Sequence, residues 1–187
     1  MQKTLENLAK AFVGESQARN RYTFYAKIAK KEGYEQIAEN FLLTAEQERE
    51  HAKWLFRLIQ DLNTEKVEIK VEAEVPNVLG DTIENLKSAI EGEGFEADSM
   101  YPEFAQIAED ENLPEIADRL KAIAIAENSH RERYINFLSD LENNSVFKKD
   151  TEVKWICRKC GYLHKGKEAT EKCPSCGHPQ SYFEICC

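Results

Sequence analysis

Apolar residues recur along the chain at alternating spacings of three and four residues in four separate stretches. These stretches cover residues 8–29, 37–62, 83–107 and 116–141. Spacing of this kind puts the apolar side chains on one face of an α-helix. The third stripe reads Ile83, Leu86, Ile90, Glu93, Ala97, Met100, Phe104 and Ile107. The pattern therefore predicts four long helices, each of which buries one face.

The segments between the predicted helices are short, long and short. Gly33 is suited to end the first helix, and Pro114 marks the start of the fourth after a turn near Asn112. Between the second and third helices, residues 63–79 include an alternation of apolar and charged residues and contain Pro76, which disfavours a helix. Short, long, short connectivity is typical of the ferritin-like bundle, whereas a simple up-and-down bundle has three short loops. We predict a mainly α protein built on a ferritin-like four-helix bundle.

The helical pattern stops after Leu141, where residues 143–145 form a polar run. We interpret this run as a linker and predict two domains, 1–145 for the bundle and 146–187 for a small second module. A chain of 187 residues is long enough for one well-buried core and such a module. Its 42% hydrophobic and 32% charged residues, with only 8 glycines and 5 prolines, suit a helical protein rather than a disordered or all-β one.

The formal net charge of −9 provides no attraction for nucleic acid or for an anionic membrane surface, so we expect neither as a partner. No apolar run approaches the roughly 18–20 residues that a membrane span needs. The start of the chain lacks the apolar core of a secretion signal. These features favour a cytoplasmic location.

Each predicted helix places a glutamate in its apolar stripe, at a position where leucine or isoleucine is expected. The four residues are Glu15, Glu48, Glu93 and Glu127. An unpaired carboxylate in a helical core costs several kcal/mol, so four such residues near the middle of four helices indicate a shared compensating charge.

Two of these glutamates are followed three residues later by a histidine on the same helix face, His51 after Glu48 and His130 after Glu127. One such match would be weak, because surface helices are rich in glutamate. Two matches in core stripes, with one glutamate from each of the other helices, form the ligand set of di-iron and di-manganese carboxylate bundles. Carboxylates with two imidazoles suit iron or manganese, whereas zinc prefers fewer and softer ligands. The sequence therefore predicts a two-metal site.

Three further residues lie near the predicted ligands. Glu96 follows Glu93 by one turn but sits beside the stripe, so it is either an additional ligand or a solvent-facing or ion-paired carboxylate. Tyr22 and Tyr101 lie one to two turns from ligand positions. They are either core tyrosines with a hydrogen-bond partner or parts of the site that orient its carboxylates.

All six cysteines lie after residue 156, and four of them form two Cys-x-x-Cys pairs separated by twelve residues. The pairs are Cys157 with Cys160 and Cys173 with Cys176. In a chain that is not secreted, this spacing predicts a tetrahedral four-thiolate metal site, and so short a segment needs the metal in order to fold. Zinc and iron both remain open, because both use four thiolates. Cys186 and Cys187 lack the spacing of a ligand pair.

The segments that carry these residues resemble the rubrerythrin family over essentially the whole chain. They are GESQARNRY at 14–22, EREH at 48–51, EGFE at 93–96, MYP at 100–102, AENSH at 126–130, CRKCGY at 157–162 and CPSCG at 173–177. Every predicted ligand fits the family pattern, and only the terminal pair of cysteines is unexplained by it.

The resemblance implies several features that the spacing does not. It implies two iron ions in the bundle and one iron ion in a rubredoxin-like four-cysteine domain. It implies that Glu96 is a ligand, and that one iron moves between Glu96 and His51 as its oxidation state changes. Members of the family reduce hydrogen peroxide to water, a reaction in which Glu96 and His51 would take part with support from Tyr22 and Tyr101.

The resemblance also bears on partners. It implies a head-to-tail homodimer, and the long crossover at 63–79 also permits a domain-swapped one. Electrons would come from an external donor, either a rubredoxin or a reductase, and would pass through the four-cysteine iron.

Two other functions use the same residues. A ferroxidase, which handles iron as ferritins do, would need the same bundle core but no electron carrier, because it takes electrons from its substrate iron. A structural metalloprotein with zinc at both sites would have no redox activity. The leading hypothesis is the peroxide reductase.

Overall fold

The computed structural model describes residues 3–186, so Cys187 lies outside the described part of the chain. The helices are α1 (Lys3–Lys31), α2 (Glu35–Leu62), α3 (Thr82–Phe95), α4 (Tyr101–Asp110) and α5 (Pro114–Glu142), with a π-helical turn at Glu96–Met100. The strands are β1 (Lys148–Cys157), β2 (Leu163–Glu168) and β3 (Phe183–Ile185), with a 3-10 turn at Gln180–Tyr182. The prediction of a mainly α chain is confirmed.

The helix ends follow from local chemistry. Gly33 adopts a φ of +89°, which L side chains rarely tolerate, and there the Tyr34 N–H donates to the Ala29 carbonyl at 2.9 Å. At the start of α3, the Asp81 side chain accepts from the Glu84 N–H at 2.9 Å, and the Glu84 carboxylate accepts from the Asp81 N–H at 3.1 Å. The predicted stop at Gly33 is therefore confirmed.

Helices α1 and α2 form one antiparallel pair. Helices α3 and α4, joined by the π-helical turn, together form the second pair with α5. The segment between the pairs, residues 63–81, contains neither helix nor strand, which confirms the short, long, short connectivity. Buried apolar side chains form two clusters in the bundle. One contains Leu8, Leu55, Phe104 and Leu120, and the other contains Tyr25, Phe41, Leu86 and Tyr134. The in-stripe glutamates lie between the clusters along the helices.

The third predicted helix differs from its expectation, because it is interrupted by the π-helical turn. The predicted stripe includes four residues that are only partly buried: Ile83, Ile90, Met100 and Ile107. Instead the buried line continues from Glu93 through Ala97 to Tyr101, at two successive steps of four. The turn accommodates this spacing, since the Tyr101 N–H donates to the carbonyl five residues earlier.

The C-terminal module is a three-stranded antiparallel sheet with the order β2-β1-β3. Its core includes Trp155, whose indole N–H donates to the Gly166 carbonyl at 3.0 Å. The module packs on the end of the bundle, where the rings of Tyr34 and Phe147 stack with centroids 6.3 Å apart. The division at residues 145 and 146 stays a prediction.

None of the helices within residues 3–186 combines the length and the apolar composition that a membrane-spanning segment requires.

Candidate metal centres

The structure brings together all six glutamates and histidines of the predicted two-metal site. Their ligand atoms form two groups, each within 4.8 Å of one another. The first group is Glu15, Glu48, His51 and Glu127, and the second is Glu48, Glu93, Glu127 and His130. Glu48 and Glu127 belong to both groups, so the cluster has the form of two adjacent sites that share two carboxylates.

The two imidazoles define the geometry of this carboxylate–histidine cluster. His51 Nδ1 lies 2.8 Å from Glu127 Oε1 and 3.0 Å from Glu48 Oε2. His130 Nδ1 lies 2.9 Å from Glu127 Oε2, 3.0 Å from Glu48 Oε1 and 3.2 Å from Glu93 Oε2. Each shared carboxylate therefore directs one oxygen to each histidine.

Without metals, protons on the histidines compensate the carboxylates. Burial would lower the pKa of His51, but hydrogen bonds to Glu127 and Glu48 raise it to about 10. The same competition raises the pKa of His130 to about 12. Burial would raise the pKa of Glu48, yet hydrogen bonds from the two histidines lower it to about 2.

Two further carboxyl groups of the cluster, Glu15 and Glu93, have raised pKa values. Burial, aided by the charges of Glu127 and Glu48, raises the pKa of Glu15 well above its ordinary value. Burial raises the pKa of Glu93 to about 8, although its hydrogen bond with His130 opposes the shift. Such a cluster needs cations if its carboxylates are all to be charged.

Unsatisfied oxygen atoms indicate that the cluster fits metal ions. Within residues 3–186, Glu15 Oε2 is buried without a hydrogen-bond partner, and each histidine Nδ1 atom faces oxygens of more than one glutamate, which a single N–H group cannot all satisfy. Buried carboxylate oxygens in native proteins are normally paired or bound to a metal. The donor set of carboxylate oxygens and imidazole nitrogens therefore suits two divalent cations of the iron or manganese type.

Tyr22 and Tyr101 are fully buried and touch the cluster. The Tyr101 hydroxyl donates to Glu15 Oε1, and the Tyr22 hydroxyl donates to Glu93 Oε1. Burial raises the pKa of both tyrosines, so they keep the proton that they donate. The expectation of core tyrosines with hydrogen-bond partners is met, and the partners are candidate ligands.

Glu96 stands apart from the two groups. It is the first residue of the π-helical turn and is partly buried beside a cavity of about 510 Å³. A Cβ atom on Gly14 would lie 3.7 Å from Glu96 Oε1. Burial, with the charge of Glu93, raises the pKa of Glu96, while the Arg21 guanidinium acts in the opposite direction. Glu96 is neither fully exposed nor part of an ion pair among the described residues.

The four cysteines of the predicted thiolate site come together in the module, with their sulfur atoms all within 4.8 Å. Cys157 Sγ lies 3.7 Å from Cys176 Sγ, and Cys160 Sγ lies 3.7 Å from Cys173 Sγ. A backbone N–H of Tyr162 lowers the pKa of Cys160 to about 6. A thiolate favoured in this way is prepared for metal binding.

The two cysteine pairs sit in equivalent turns. Gly161 and Gly177 have φ values of +76° and +74°. Their N–H groups donate to the carbonyls of Cys157 at 2.8 Å and Cys173 at 2.9 Å. Only glycine adopts this backbone without strain, so each Cys-x-x-Cys-Gly segment closes around one pair of sulfurs.

Sequence reasoning missed residues that surround Glu96 and His51. Gly92 and Arg21 line the Glu96 cavity, while Trp54 and Arg119 line a pocket at His51. Glycine is costly inside a helix. Gly92 next to a predicted ligand was therefore a signal, whereas Trp54 and Arg119 gave none.

Comparison with known proteins places the chain. The profile of the family described as Rubrerythrin matches residues 6–138, and that of the rubrerythrin rubredoxin-like domain matches residues 155–184. The putative rubrerythrin of Methanocaldococcus jannaschii is 64% identical over 192 residues, which cover 100% of this chain and 94% of the relative. The chain belongs to the rubrerythrin family. The rubrerythrin of Nitratidesulfovibrio vulgaris is 43% identical, over 98% of this chain and 94% of that relative.

Solved structures agree with this assignment. The fully reduced, all-ferrous state of nigerythrin matches with a TM-score of 0.66 at 34% identity, over 97% of this chain and 86% of that chain. A bacterioferritin of Desulfovibrio desulfuricans matches with a TM-score of 0.69 at 24% identity, over 76% of this chain and 82% of that chain. The bacterioferritin shows the ferritin-like fold alone.

The expected fold class is therefore confirmed as a ferritin-like bundle followed by a rubredoxin-like domain. As a rubrerythrin, the chain carries the family's di-iron cluster of carboxylates and histidines and its four-cysteine site. Rubrerythrins are di-iron proteins of the oxidoreductase class.

Proposed function

We propose that the protein is a hydrogen peroxide reductase of oxidative-stress defence, which converts hydrogen peroxide to water at the two-metal site. The supporting observation is that a buried carboxylate–histidine cluster and a four-thiolate cluster belong to one chain, in parts that pack on each other. A peroxide reductase must be re-reduced after each turnover, whereas a ferroxidase takes electrons from its substrate iron. An attached electron carrier therefore favours the reductase.

Both donor sets fit iron. Carboxylates and imidazoles suit ferrous and ferric iron, and four thiolates suit a one-electron iron site. When bound, the two bundle irons would supply two electrons that, with two protons, convert one peroxide into two waters, and the thiolate iron would return electrons singly.

We assign the bridging role to Glu48 and Glu127, because each directs its two oxygens to different imidazoles. Glu15 and His51 would complete the ligands on one side of the cluster. Glu93 and His130 would complete those on the other side. The four thiolate ligands would be Cys157, Cys160, Cys173 and Cys176.

We further propose that Glu96 and His51 alternate as ligands of one iron. His51 lies within the cluster and Glu96 outside it, which corresponds to the arrangement in which His51 would be the ligand. The cavity of about 510 Å³ beside Glu96 leaves room for its carboxylate to move. Tyr22 and Tyr101 would hold Glu93 and Glu15 in fixed orientations while this exchange occurs.

The chain's own module contacts α2 away from the cluster. Arg158, next to Cys157, contacts Glu39 on α2, and Glu48 follows Glu39 by nine positions, about 14 Å along the helix axis. The family resemblance implies a second copy, arranged head-to-tail, whose module lies near the cluster, and the long crossover also permits exchanged helices. We therefore propose a cytoplasmic homodimer that receives electrons from an external rubredoxin or reductase.

The test is an anaerobic titration of the reduced, iron-loaded protein with hydrogen peroxide and, separately, with oxygen. Absorption of the di-iron and thiolate-iron sites follows each reaction. We expect rapid stoichiometric oxidation by peroxide and a slower reaction with oxygen. The opposite order would support the ferroxidase instead.

A variant separates the two sites. Cys160→Ser should abolish turnover that depends on the donor, while the reduced di-iron site still reacts once with peroxide. Loss of the single-turnover reaction in this variant would contradict the assigned roles.

A further inference from the structure

His51 is the most exposed side chain of the carboxylate–histidine cluster. Its side chain is 16% accessible, whereas those of Glu15, Glu48, Glu127 and His130 are 4% accessible or less. Solvent therefore reaches the cluster most easily at His51.

A pocket of about 200 Å³ lies against His51, between α2 and α5. It is lined by His51, Trp54, Arg119, Ala122 and Ile123. His51 directs Nδ1 to the carboxylates, so the opposite edge of its ring borders the pocket. A water molecule in the liquid takes up about 30 Å³, and the pocket thus holds several molecules of that size.

Trp54 stands on the rim of this pocket. It follows His51 by three residues on the same face of α2, and its side chain is 37% exposed. The Arg119 guanidinium reaches across from α5, with Cζ 4.0 Å from the centre of the indole. Arg57 adds a second guanidinium at 4.8 Å. These cation–π contacts fix the indole between the two helices.

We propose that this pocket is the route by which the peroxide substrate reaches the cluster, and that Trp54, held by Arg119, limits the size of the peroxide. The proposal rests on the function proposed above. It assigns to Trp54 and Arg119 a role in selecting small hydroperoxides over those with bulky organic groups.

The cavity beside Glu96 is the competing route. It is larger, about 510 Å³, but it touches Glu96 and none of the six residues of the cluster. Met100 lines that cavity and is partly buried. Met100→Ala therefore widens the competing route without changing the pocket at His51.

The first experiment measures selection by size. Reduced, iron-loaded wild type, Trp54→Ala, Arg119→Gln and Phe56→Ala are mixed anaerobically with hydrogen peroxide or tert-butyl hydroperoxide. Phe56 is the matched control, since it is an exposed aromatic residue of α2 that does not line the pocket. We expect Trp54→Ala to raise the rate with tert-butyl hydroperoxide, relative to hydrogen peroxide, by about tenfold.

Arg119→Gln should act in the same direction with a smaller change, and Phe56→Ala should leave the ratio of rates unchanged. An unchanged ratio in Trp54→Ala would overturn the proposal. So would a larger change in Met100→Ala than in Trp54→Ala.

The second experiment tests the pocket without any reaction of the cluster. In Ile123→Cys, a thiol at the buried wall of the pocket is labelled with methanethiosulfonates of increasing size, and the modified peptide is quantified by mass spectrometry. Leu120→Cys, one turn away and fully buried, is the control. Adding Trp54→Ala to the Ile123→Cys variant should speed labelling at position 123 by bulky reagents and leave labelling of the Leu120→Cys control unchanged.

The two experiments distinguish an error in the proposed function from an error in the role of Trp54. If peroxide does not oxidise the reduced wild type, the proposed function is wrong, while labelling still reports on the pocket. If labelling at position 123 is independent of the residue at 54, the role of Trp54 is wrong, whatever the substrate.

Discussion

The bundle and the C-terminal module hold their candidate ligands in opposite ways. In the bundle, two clusters of buried apolar side chains lie on either side of the charged layer and stabilise the helices independently of it. Among residues 146–186, the module has five buried core residues, and two of them, Cys157 and Cys173, are themselves candidate ligands. The bundle is therefore a fold that contains a metal site, whereas we expect the module to depend on its metal for the fold.

The comparison also concerns charge. In the metal-free bundle, buried carboxylates and histidines oppose folding unless protons neutralise them. In the module, a backbone N–H of Tyr162 lowers the pKa of Cys160. The pKa of Cys176, despite a backbone N–H of His178, is raised to about 12 by the neighbouring cysteines. Four predictions test these differences, from the largest expected effect to the smallest.

Loss of the thiolate site should unfold the module and spare the bundle. Metal binding to four thiolates contributes on the order of 10 kcal/mol to folding in small domains. In a Trp54→Phe background, Trp155 is the one remaining tryptophan, because the chain has 2. Adding Cys157→Ser and Cys173→Ser should expose Trp155 to water and shift its fluorescence to the red, while helical circular dichroism is retained.

The control for this prediction is Cys186→Ser, which changes a cysteine outside the four-sulfur group. A buried Trp155 in the double cysteine variant would show that the module folds without its metal, and the contrast with the bundle would then disappear.

The stability of the metal-free bundle should fall as pH rises. The pKa of Glu93 is raised from 4.5 to about 8 and that of His51 from 6.5 to about 10, so the folded state binds more protons than the unfolded chain. For each such group, the free energy of unfolding falls by about 1.4 kcal/mol per unit of rising pH, in the interval between its pKa in the unfolded chain and its pKa in the folded state. Urea unfolding should therefore show a loss of roughly 1–2 kcal/mol between pH 7 and pH 8.

Loading the bundle with metal should reverse this dependence, because metal ligands must be deprotonated and binding releases the protons. Metal affinity should rise with pH over the same range. A metal-free bundle whose stability is constant from pH 6.5 to pH 8 would contradict the prediction.

The effects of substituting Tyr101 and Glu15 on stability should depend on each other. Tyr101→Phe removes the donor to a buried carboxyl group and should cost about 1–3 kcal/mol in the metal-free protein. Adding Glu15→Leu removes the carboxyl group as well and should restore most of that stability, because both partners are then apolar. The double variant should also bind less metal. Urea unfolding and metal analysis measure the two effects, and equal stability of the single and double variants would argue against the pairing.

The contact between module and bundle should contribute least. Arg158 lies against both Glu39 and Glu184, and the Glu39 side chain is 68% exposed. Glu39→Gln should change the free energy of unfolding by less than about 1 kcal/mol. Thermal unfolding of the metal-loaded protein, with Glu35→Gln as a control on the same helix, measures this. A change of several kcal/mol would mean that the two regions fold as one unit.

The sequence predicted the regular parts of the fold well. Every member of the first stripe, from Leu8 to Ala29, is buried, because α1 is an uninterrupted helix whose period matches the spacing. The same spacing identified the six cluster residues, since Glu-x-x-His keeps both side chains on one face. The two cysteine pairs could be predicted equally well, because the two ligands of each pair lie close together in the sequence.

Other features of the site could not be predicted from spacing. A straight helix was assumed through residues 83–107, so the π-helical turn and the placement of Glu96 were missed. Pro102 was the available signal, because it lacks an N–H and sits where the hydrogen-bond pattern changes. The pairing of Trp54 with Arg119 depends on how α2 and α5 meet, which no local pattern records.

The π-helical turn also bears on how the helix tolerates a change of length. Its hydrogen bonds span five residues rather than four, so it holds one residue more than the corresponding turn of an α-helix. Each residue advances an α-helix by about 100°, so after deletion of one residue from 97–100 a regular α-helix would still place Glu93 and Tyr101 on the same face. The extra residue therefore changes the path of the helix only at 96–100, and the hydrogen bond between Tyr101 and Glu15 does not depend on it.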